Sequence, residues 1–198
     1  MKDDAGKDQG KRQAVLEAAF GVFAQYGFRR ASMGDIARAA GMSRPALYQY
    51  FEGKEDIARS LVTGFYDEAC ATISAALGAP GPVSEQLRSA FRAKSGRAME
   101  ILLRSPHGAD MLDVGNAIAA HEAAEGRARM VAVFADWLEG QARAGCIRLD
   151  DPPEALADSM IAALEGAKAA GRSPDYDSYL AHLDRMARIF AAALTVPD

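Results

Sequence analysis

The chain has 198 residues, of which 49% are hydrophobic and 25% are charged, and its formal net charge is −4. This composition is sufficient for a packed core, and it excludes both an intrinsically disordered chain and a strongly basic protein that coats DNA by charge alone. No apolar run approaches transmembrane length and the polar start MKDDAGKDQGKR lacks a signal-peptide core, so the expected location is cytoplasmic.

The N-terminal part combines a polar start with a helical pattern. Residues 1–10 are polar and of mixed charge, which predicts a disordered arm. A first helix is predicted in KRQAVLEAAFGVFAQYGF, which begins at Lys11. Residues 1–57 hold nine Lys or Arg and eight Asp or Glu, and the remainder holds 14 and 19, so only the N-terminal part is slightly basic.

Residues 32–54 read SMGDIARAAGMSRPALYQYFEGK and contain two short helical patterns joined by a turn with glycine. The first pattern opens at Ser32, and the S-x-x-D spacing to Asp35 predicts a capping box. The second runs from Arg44 to about Phe51, and Ser43 can cap it. This is the helix-turn-helix arrangement, whose second helix enters the DNA major groove.

The second helix of this motif has two faces. Leu47 and Phe51 are four residues apart and are expected to pack against Ile36. The opposite face offers a guanidinium, a phenol and a carboxamide, which are suited to phosphate or base-edge contacts. Its residues are Arg44, Pro45, Tyr48 and Gln49. The alternative is a structural helical hairpin with a solvated polar face.

Residues 11–57 resemble the DNA-binding domain of the tetracycline-repressor (TetR) family of bacterial transcription regulators. The family pattern has an aromatic-Gly pair after the first helix, a Thr or Ser, then I-A-x-x-A-G-x-S, L-Y-x-(His/Tyr)-F and a closing K-E. The matching residues are Tyr26-Gly27, Ser32, Ile36 to Ser43, Leu47 to Phe51, and Lys54-Glu55. The resemblance implies an all-α protein, with a three-helix DNA-binding domain over residues 11–57 and an effector-binding and dimerisation domain over residues 58–198.

The resemblance also implies individual DNA contacts. Tyr48 resembles the family tyrosine whose hydroxyl meets a backbone phosphate. Lys54 resembles the lysine at the start of the fourth helix, where the ammonium and the helix N-terminus favour a phosphate. Ser43 resembles a capping residue that also touches phosphate, and Arg44 occupies a variable position often used for base reading. The remaining expected DNA-binding residues are Ser32, Pro45 and Gln49.

Two residues depart from the family pattern. Pro45 stands where the family often has Gly, so any backbone N–H contact to a phosphate at that position is lost. Tyr50 replaces the commoner His, so a hydrogen bond made by that His is not expected here. These departures keep open the alternative of a helical ligand-binding or scaffolding protein with a non-functional DNA head.

The remainder of the chain reads as a series of helices, with Ser95-Gly96 interrupting the second of them. Their predicted ranges are about 55–77, 83–103 (one helix or a broken pair), 116–144, 153–170 and 176–194. In the resembled family the last two helices of each subunit form a four-helix dimer interface. The candidate interface residues here are Ala163, Gly166, Ala167, Leu180, Leu183, Ala187 and Phe190, and the alternative is packing within one chain.

The resemblance further implies an effector pocket in the C-terminal domain. Its candidate lining is mainly apolar, as small-molecule pockets tend to be, and favours a hydrophobic or aromatic effector. The candidate residues are Phe65, Met99, Leu103, His107, Met111, Asn116, Phe134 and Trp137. Plain core packing is the alternative for each of them.

The sequence therefore predicts a one-component regulator, usually a repressor, that binds a palindromic operator as a homodimer and is released by a small molecule. No nucleophile elbow, phosphate loop, HExxH motif or Cys/His ligand spacing is present, so neither an enzyme nor a cofactor or metal is expected. Two copies on a two-fold axis would read half-sites about 34–36 Å apart.

Overall fold

The computed structural model describes residues 2–108, 111, 113, 117–167 and 175–195. Within these ranges the chain forms eight α-helices and no strand, which confirms the all-α prediction. Of the helices described, none is both long and apolar enough to cross a membrane.

The helix bounds follow the predicted pattern closely. The helices are α1 (Lys2–Tyr26), α2 (Met33–Ala39), α3 (Arg44–Leu47), α4 (Lys54–Gly78), α5 (Val83–Arg104), α6 (Ala120–Arg143), α7 (Pro153–Gly166) and α8 (Tyr176–Leu194). Both α1 and α2 end at a glycine with positive φ, a conformation that costs glycine little. Gly27 (φ 79°) follows α1, and Gly41 (φ 66°) follows α2.

The chain divides into two compact units. The first unit consists of Met1–Gly64 and Ile101–Ala123, and the second of Phe65–Glu100 and Ala124–Asp198. A segment that follows α5 therefore belongs to the N-terminal unit. Within that segment Met111 and Ile118 pack against the core of the first unit.

The first helix is longer than the composition of its first residues predicts. Residues 1–10 were expected to form a disordered arm, but α1 begins at Lys2. Once a helix is nucleated, each further residue adds a hydrogen bond at small cost, and polar residues are tolerated. Just beyond these residues, Arg12 donates to Ser60 Oγ at 2.8 Å, and its guanidinium carbon lies 4.7 Å from the Phe51 ring centroid.

The core of the first unit joins α1, α2, α3 and the start of α4. Leu47, Phe51 and Ile36 are buried in one cluster, as the helix-turn-helix reading predicts. The cluster continues along α1, where the rings of Phe23 and Phe28 lie 5.1 Å apart. The apolar side of α3 is therefore packed against the core of the first unit, and its polar side faces away from that core.

In the second unit α5 is a broken helix, one of the two forms that the sequence allowed. Gly96 has φ 52° and ψ −176°, a non-helical conformation that strongly favours glycine. The adjacent Ser95 is buried, and its hydroxyl donates to the hydroxyl of Tyr179 at 3.1 Å. Close by in the same unit, the ring of Phe91 makes edge contacts with Phe134 and Phe190, each at 5.9 Å.

Candidate DNA-binding site

The helix before the turn is fixed at both ends by hydrogen bonds. Ser32 Oγ accepts from the Asp35 backbone N–H at 3.2 Å, and the Asp35 carboxylate accepts from the Ser32 hydroxyl at 2.6 Å and its N–H at 3.1 Å. This confirms the predicted capping box. These bonds hold the pKa of Asp35 below its ordinary value, and the bond from the Ser32 hydroxyl has the largest effect.

The C-terminal end of α2 closes with a Schellman motif. The Met42 N–H donates to the Ala37 carbonyl at 2.9 Å, and the Gly41 N–H donates to the Arg38 carbonyl at 3.2 Å. The positive φ of Gly41 makes this pair of bonds possible. The turn between the two helices is therefore set by backbone geometry.

The second helix of the motif starts as predicted but is shorter. Ser43 Oγ accepts from the Ala46 N–H at 3.3 Å, and Pro45 lies in the first turn, where its missing N–H costs little. The regular α-helix ends at Leu47, and turn hydrogen bonds continue to Phe51, whose N–H donates to the Leu47 carbonyl at 3.2 Å. Helical conformation thus covers most of the predicted range from Arg44 to Phe51.

Arg44 and Tyr48 act as a pair on the exposed side of α3. An Nη nitrogen of Arg44 donates to the Tyr48 hydroxyl oxygen at 3.3 Å, and the guanidinium carbon lies 5.7 Å from the ring centroid. The hydrogen bond to Tyr48 raises the pKa of Arg44 further above its usual range. Because Tyr48 accepts from Arg44, its own O–H remains a donor for an outside acceptor.

The other predicted residues of this face are also accessible. Ser32, Ser43, Pro45 and Gln49 are exposed, and Tyr48 retains 45% of its surface. The surface thus presents Arg44, Tyr48 and Gln49 as donors on one side of a helix whose other side is buried. Such a surface can donate to phosphate oxygens and to base edges.

Lys54 is the first residue of α4, as the resemblance implies, and its phosphate contact stays a prediction. Its Nζ donates to the backbone carbonyls of Phe28, Arg29 and Ala31 at 3.0, 3.2 and 3.2 Å. The ammonium also lies 4.7 Å from the Phe28 ring centroid. In the described state its three donors are directed at the protein backbone.

Two features of this region were missed by the sequence reasoning. Arg38 on α2 has a side chain that is 81% exposed and pairs with Asp35 at 3.4 Å, so it adds a cation to the motif. Its i,i+3 spacing from Asp35 was the available signal. The Asp8 carboxylate on α1 raises the pKa of Tyr50. No sequence signal predicts that second pair, because it depends on how α1 crosses the motif.

Comparison with known proteins identifies this arrangement. Residues 15–61 match the profile of the bacterial regulatory proteins of the tetR family. Residues 15–61 form a TetR-family DNA-binding domain. Regulators of this family bind DNA, usually as dimers.

Known transcriptional repressors match the chain over different lengths. The repressor KstR2 of Rhodococcus jostii is 36% identical over 66 residues, which are 33% of this chain and 32% of KstR2. The repressor DhaR of a Mycobacterium species is 28% identical over 79% of each chain. The chain thus aligns with only about a third of the length of KstR2, although it aligns with most of DhaR.

A solved structure shows that the family fold extends beyond the head. A TetR-family transcriptional regulator from Cytophaga hutchinsonii superimposes with a TM-score of 0.73, covering 97% of this chain and 98% of that one. Its sequence identity is 22%, so this likeness shows the fold alone. The family fold therefore includes the helices that carry the candidate effector and dimer residues.

The candidate effector residues fall into both units of the chain. Phe65, Met99, Phe134 and Trp137 belong to the second unit, where Met99 and Phe134 are buried. The first unit contains the others that are described. These are Leu103, His107 and Met111, while Asn116 lies outside the described residues.

The positions of His107 and Met111 reflect packing within the first unit. The imidazole Cγ of His107 lies 3.4 Å from the position that a Cβ on Gly27 would occupy, and Met111 packs against the core of the first unit. Sequence reasoning also overlooked Lys94 and Ser95, which are the buried polar side chains in the described part of the second unit. The Ser95-Gly96 break was the nearest signal for them.

The candidate dimer residues differ in how much surface they offer. Ala167, Leu183 and Ala187 have no exposed surface in the single chain, because they pack within the second unit. Their place in a dimer interface stays a prediction. Ala163, Gly166, Leu180 and Phe190 are half-buried, and Ile189, which the sequence reasoning did not select, is 60% exposed.

Proposed function

We propose that this chain is a transcriptional repressor that binds a palindromic operator as a homodimer. The observation that carries the proposal is the exposed Arg44–Tyr48 donor pair on the second helix of a fully capped helix-turn-helix. The repressors KstR2 and DhaR among its relatives support the same reading. The proposed site of action is the cytoplasm, where a bacterial chromosome is accessible.

The proposed DNA contacts divide by chemistry. Arg44 is proposed to read a base edge, because a guanidinium can donate two hydrogen bonds to guanine. Tyr48 and the Ser43 hydroxyl are proposed to contact phosphates, which fix position without reading sequence. Ser32 is proposed to do so only when its hydroxyl turns away from the Asp35 carboxylate, to which it donates in the structure. Gln49 is proposed to contact either a base or a phosphate, and Pro45 to contribute only van der Waals contact.

The test is operator binding with a charge-matched control. Binding of the protein to DNA upstream of its own gene, or to a site selected from a random library, is measured over a series of salt concentrations. Arg44→Ala is expected to weaken operator binding by about 10-fold to 100-fold, since a bidentate Arg contact contributes about 1–3 kcal/mol of discrimination. Arg143→Ala removes the same charge from an exposed position on α6 and is expected to leave binding unchanged.

Failure of this experiment has a clear meaning. Selection from a random library that enriches no sequence, together with equal binding by the wild type and Arg44→Ala, would contradict the repressor proposal. It would favour the alternative of a helical ligand-binding or scaffolding protein with a non-functional DNA head. Pro45 is the residue that motivates this alternative, because it removes a backbone donor from the recognition surface.

A small-molecule effector is proposed for the C-terminal domain, which we place at residues 58–198 after a DNA-binding domain at 11–57. The proposed lining is the second-unit part of the candidate set: Phe65, Met99, Phe134 and Trp137. Met99 and Phe134 are buried, so a ligand that reaches them must displace existing packing. Release from DNA requires that the effector bind the released state more tightly than the DNA-competent state.

Trp137 provides a direct probe for this effector. It is the chain's one tryptophan, and its indole N–H donates to Gln86 Oε1 at 3.3 Å within the second unit. A hydrophobic or aromatic effector is expected to change the Trp137 fluorescence and to reduce operator binding at the same concentrations. A compound that changes the fluorescence without changing operator affinity would be a ligand but not an effector.

A further inference from the structure

The ammonium of Lys54 lies in a cage of backbone carbonyl groups. Its distances to the carbonyl oxygens of Phe28, Arg29 and Ala31 are 3.0, 3.2 and 3.2 Å. An ammonium has three N–H donors and no acceptor, so these three bonds use its full donor capacity. The Phe28 ring adds a cation–π contact at 4.7 Å.

The position of this cage in the chain indicates what it does. The three carbonyls directly precede Ser32, where α2 is capped, and Lys54 directly follows the turn that ends at Phe51 and Glu52. The bonds from Lys54 therefore join the two ends of the helix-turn-helix, across sequence separations of 23 to 26 residues. Closing such a loop removes conformations that the free segment would otherwise sample.

We propose that Lys54 is a positioning residue, which fixes the helix-turn-helix by binding the loop before α2, and that its ammonium does not contact a DNA phosphate. This inference rests on the proposed DNA-binding function. A phosphate contact would require Lys54 to give up at least one carbonyl. The bonds to the Phe28 and Ala31 carbonyls are part-buried, so either carbonyl would lose its partner in a site that is less open to water than the exposed Arg29 carbonyl.

The acidic residues around Lys54 support the same conclusion. Glu55 and Asp56 lie in the first turn of α4, and Asp56 Oδ2 accepts from the Glu52 backbone N–H at 3.1 Å. Carboxylates at a helix N-terminus satisfy its positive end and repel a second anion. The start of α4 is therefore a poor phosphate site and a good anchor for a side chain that points back to the loop.

The experiment compares Lys54→Met with Lys11→Met, which removes an exposed lysine from the same unit. Operator affinity is measured from low to high salt. Under the proposal, Lys54→Met lowers affinity at least fivefold at every salt concentration, and the slope of log affinity against log salt stays that of the wild type. A lost phosphate contact would instead make the slope shallower by about 0.9 for each head, and this result would overturn the proposal.

A second readout needs no DNA. Amide hydrogen exchange of Ala31 and Asp35 in the free protein is expected to be faster in Lys54→Met and unchanged in Lys11→Met. Unchanged exchange together with unchanged operator affinity in Lys54→Met would also overturn the proposal. If the wild type binds no DNA, the proposed function fails, while the exchange measurement still tests whether Lys54 fixes the loop.

Lys54→Gln covers the case in which Lys54→Met does not fold. Its amide is uncharged but can donate two hydrogen bonds to carbonyls. A positioning role predicts that Lys54→Gln keeps the salt slope of the wild type. It also predicts an amide exchange rate for Ala31 that is closer to that of the wild type than to that of an unfolded chain. A shallower slope in Lys54→Gln would contradict the positioning role, because only the charge would then matter.

Discussion

Arg44 donates a hydrogen bond to the Tyr48 hydroxyl from one helical turn away, at 3.3 Å. This bond holds two flexible side chains in one arrangement before DNA is present, which reduces the conformational entropy lost on binding. It also fixes which group donates and which accepts. The Tyr48 oxygen accepts from Arg44, so the Tyr48 hydroxyl proton is left to donate to an acceptor outside the protein. The two residues therefore act together on the recognition face.

The first prediction concerns this pair. Tyr48→Phe removes both the outward donor and the acceptor that orients Arg44. Operator affinity is expected to fall by roughly tenfold or more, because hydrogen bonds to charged groups contribute about 1.5–3 kcal/mol. Loss of the outward donor should weaken binding to operator and random DNA alike, and loss of the acceptor that orients Arg44 should weaken operator binding further. Fluorescence anisotropy with both DNAs measures it.

A double-mutant cycle tests the coupling. If Tyr48 orients Arg44, the combined loss in Arg44→Ala/Tyr48→Phe should be smaller than the sum of the two single losses. Strict additivity would show that the two side chains contact DNA independently. Tyr26→Phe is a suitable control, because Tyr26 is another exposed tyrosine of the first unit that lies outside the helix-turn-helix.

The second prediction concerns acid stability of the capping box. Hydrogen bonds from Ser32 hold the pKa of Asp35 below its ordinary value, so the folded state prefers the carboxylate. The resulting stabilisation is present above the unfolded pKa of about 3.9 and is lost as pH falls through the lower folded pKa. The helix-turn-helix of the wild-type protein should therefore lose stability as the pH falls from the unfolded pKa through the folded pKa of Asp35.

Ser32→Ala separates this effect from general acid unfolding. The substitution removes the hydroxyl that bonds the carboxylate, so the Asp35 pKa should rise toward its ordinary value. The variant should melt at lower temperature than wild type at neutral pH, and the difference should shrink below the ordinary pKa of Asp. An Asp35 pKa that is the same in both proteins, measured by NMR titration, would contradict this account.

Local sequence signals predicted most of the head. Ser32, Asp35 and Ser43 each form a cap with groups three residues away, so spacing alone fixed their partners. The apolar periodicity that placed Leu47 and Phe51 with Ile36 is equally local in origin. The recognition face then followed, because its residues are those left outside the buried side of a short helix.

Long-range contacts limited the rest of the prediction. Lys54 was assigned to a phosphate by resemblance, yet its ammonium meets carbonyls 23 to 26 residues earlier, which no spacing rule anticipates. The contacts of Arg12 on α1 with Ser60 and Phe51 also join residues that are far apart in the chain. Likewise, helical periodicity identified Leu183 and Ala187 as apolar but did not show whether their own chain already buries them.

The third prediction concerns the proposed homodimer. Ile189 on α8 is 60% exposed although its neighbours Met186 and Ala187 are buried, so it is an apolar side chain on the outer face of the helix. Ile189→Arg places a charge on this face and is expected to shift the protein from dimer to monomer. Operator affinity should fall with it, since a monomer binds only one half-site.

Sedimentation equilibrium measures the shift directly. Ala75→Arg introduces the same residue at an exposed site on α4 and should leave the oligomeric state of wild type unchanged. A dimer that persists in Ile189→Arg at the same concentration would place the interface elsewhere. A wild-type protein that is monomeric would contradict the proposed homodimer itself.

The fourth prediction concerns a close contact inside the second unit. A Cβ added at Gly126 on α6 would lie 2.2 Å from Cγ of Tyr66, which no ordinary packing allows. Gly126→Ala should therefore destabilise the protein by about 1–3 kcal/mol, the usual cost of forcing extra volume into a packed site. Chemical denaturation followed by circular dichroism measures this loss.

Gly140→Ala is the matched control, because Gly140 lies on the same helix and a Cβ there would meet nothing within 4 Å. Alanine is favoured over glycine in a helix interior, so this variant should be more stable than wild type by about 0.5–1 kcal/mol. If the two Gly→Ala substitutions on this helix change the free energy of unfolding in opposite directions, the contact with Tyr66 is the cause of the difference. If Gly126→Ala is also stabilising, the tyrosine ring can move aside, and the close approach of α4 and α6 does not depend on glycine.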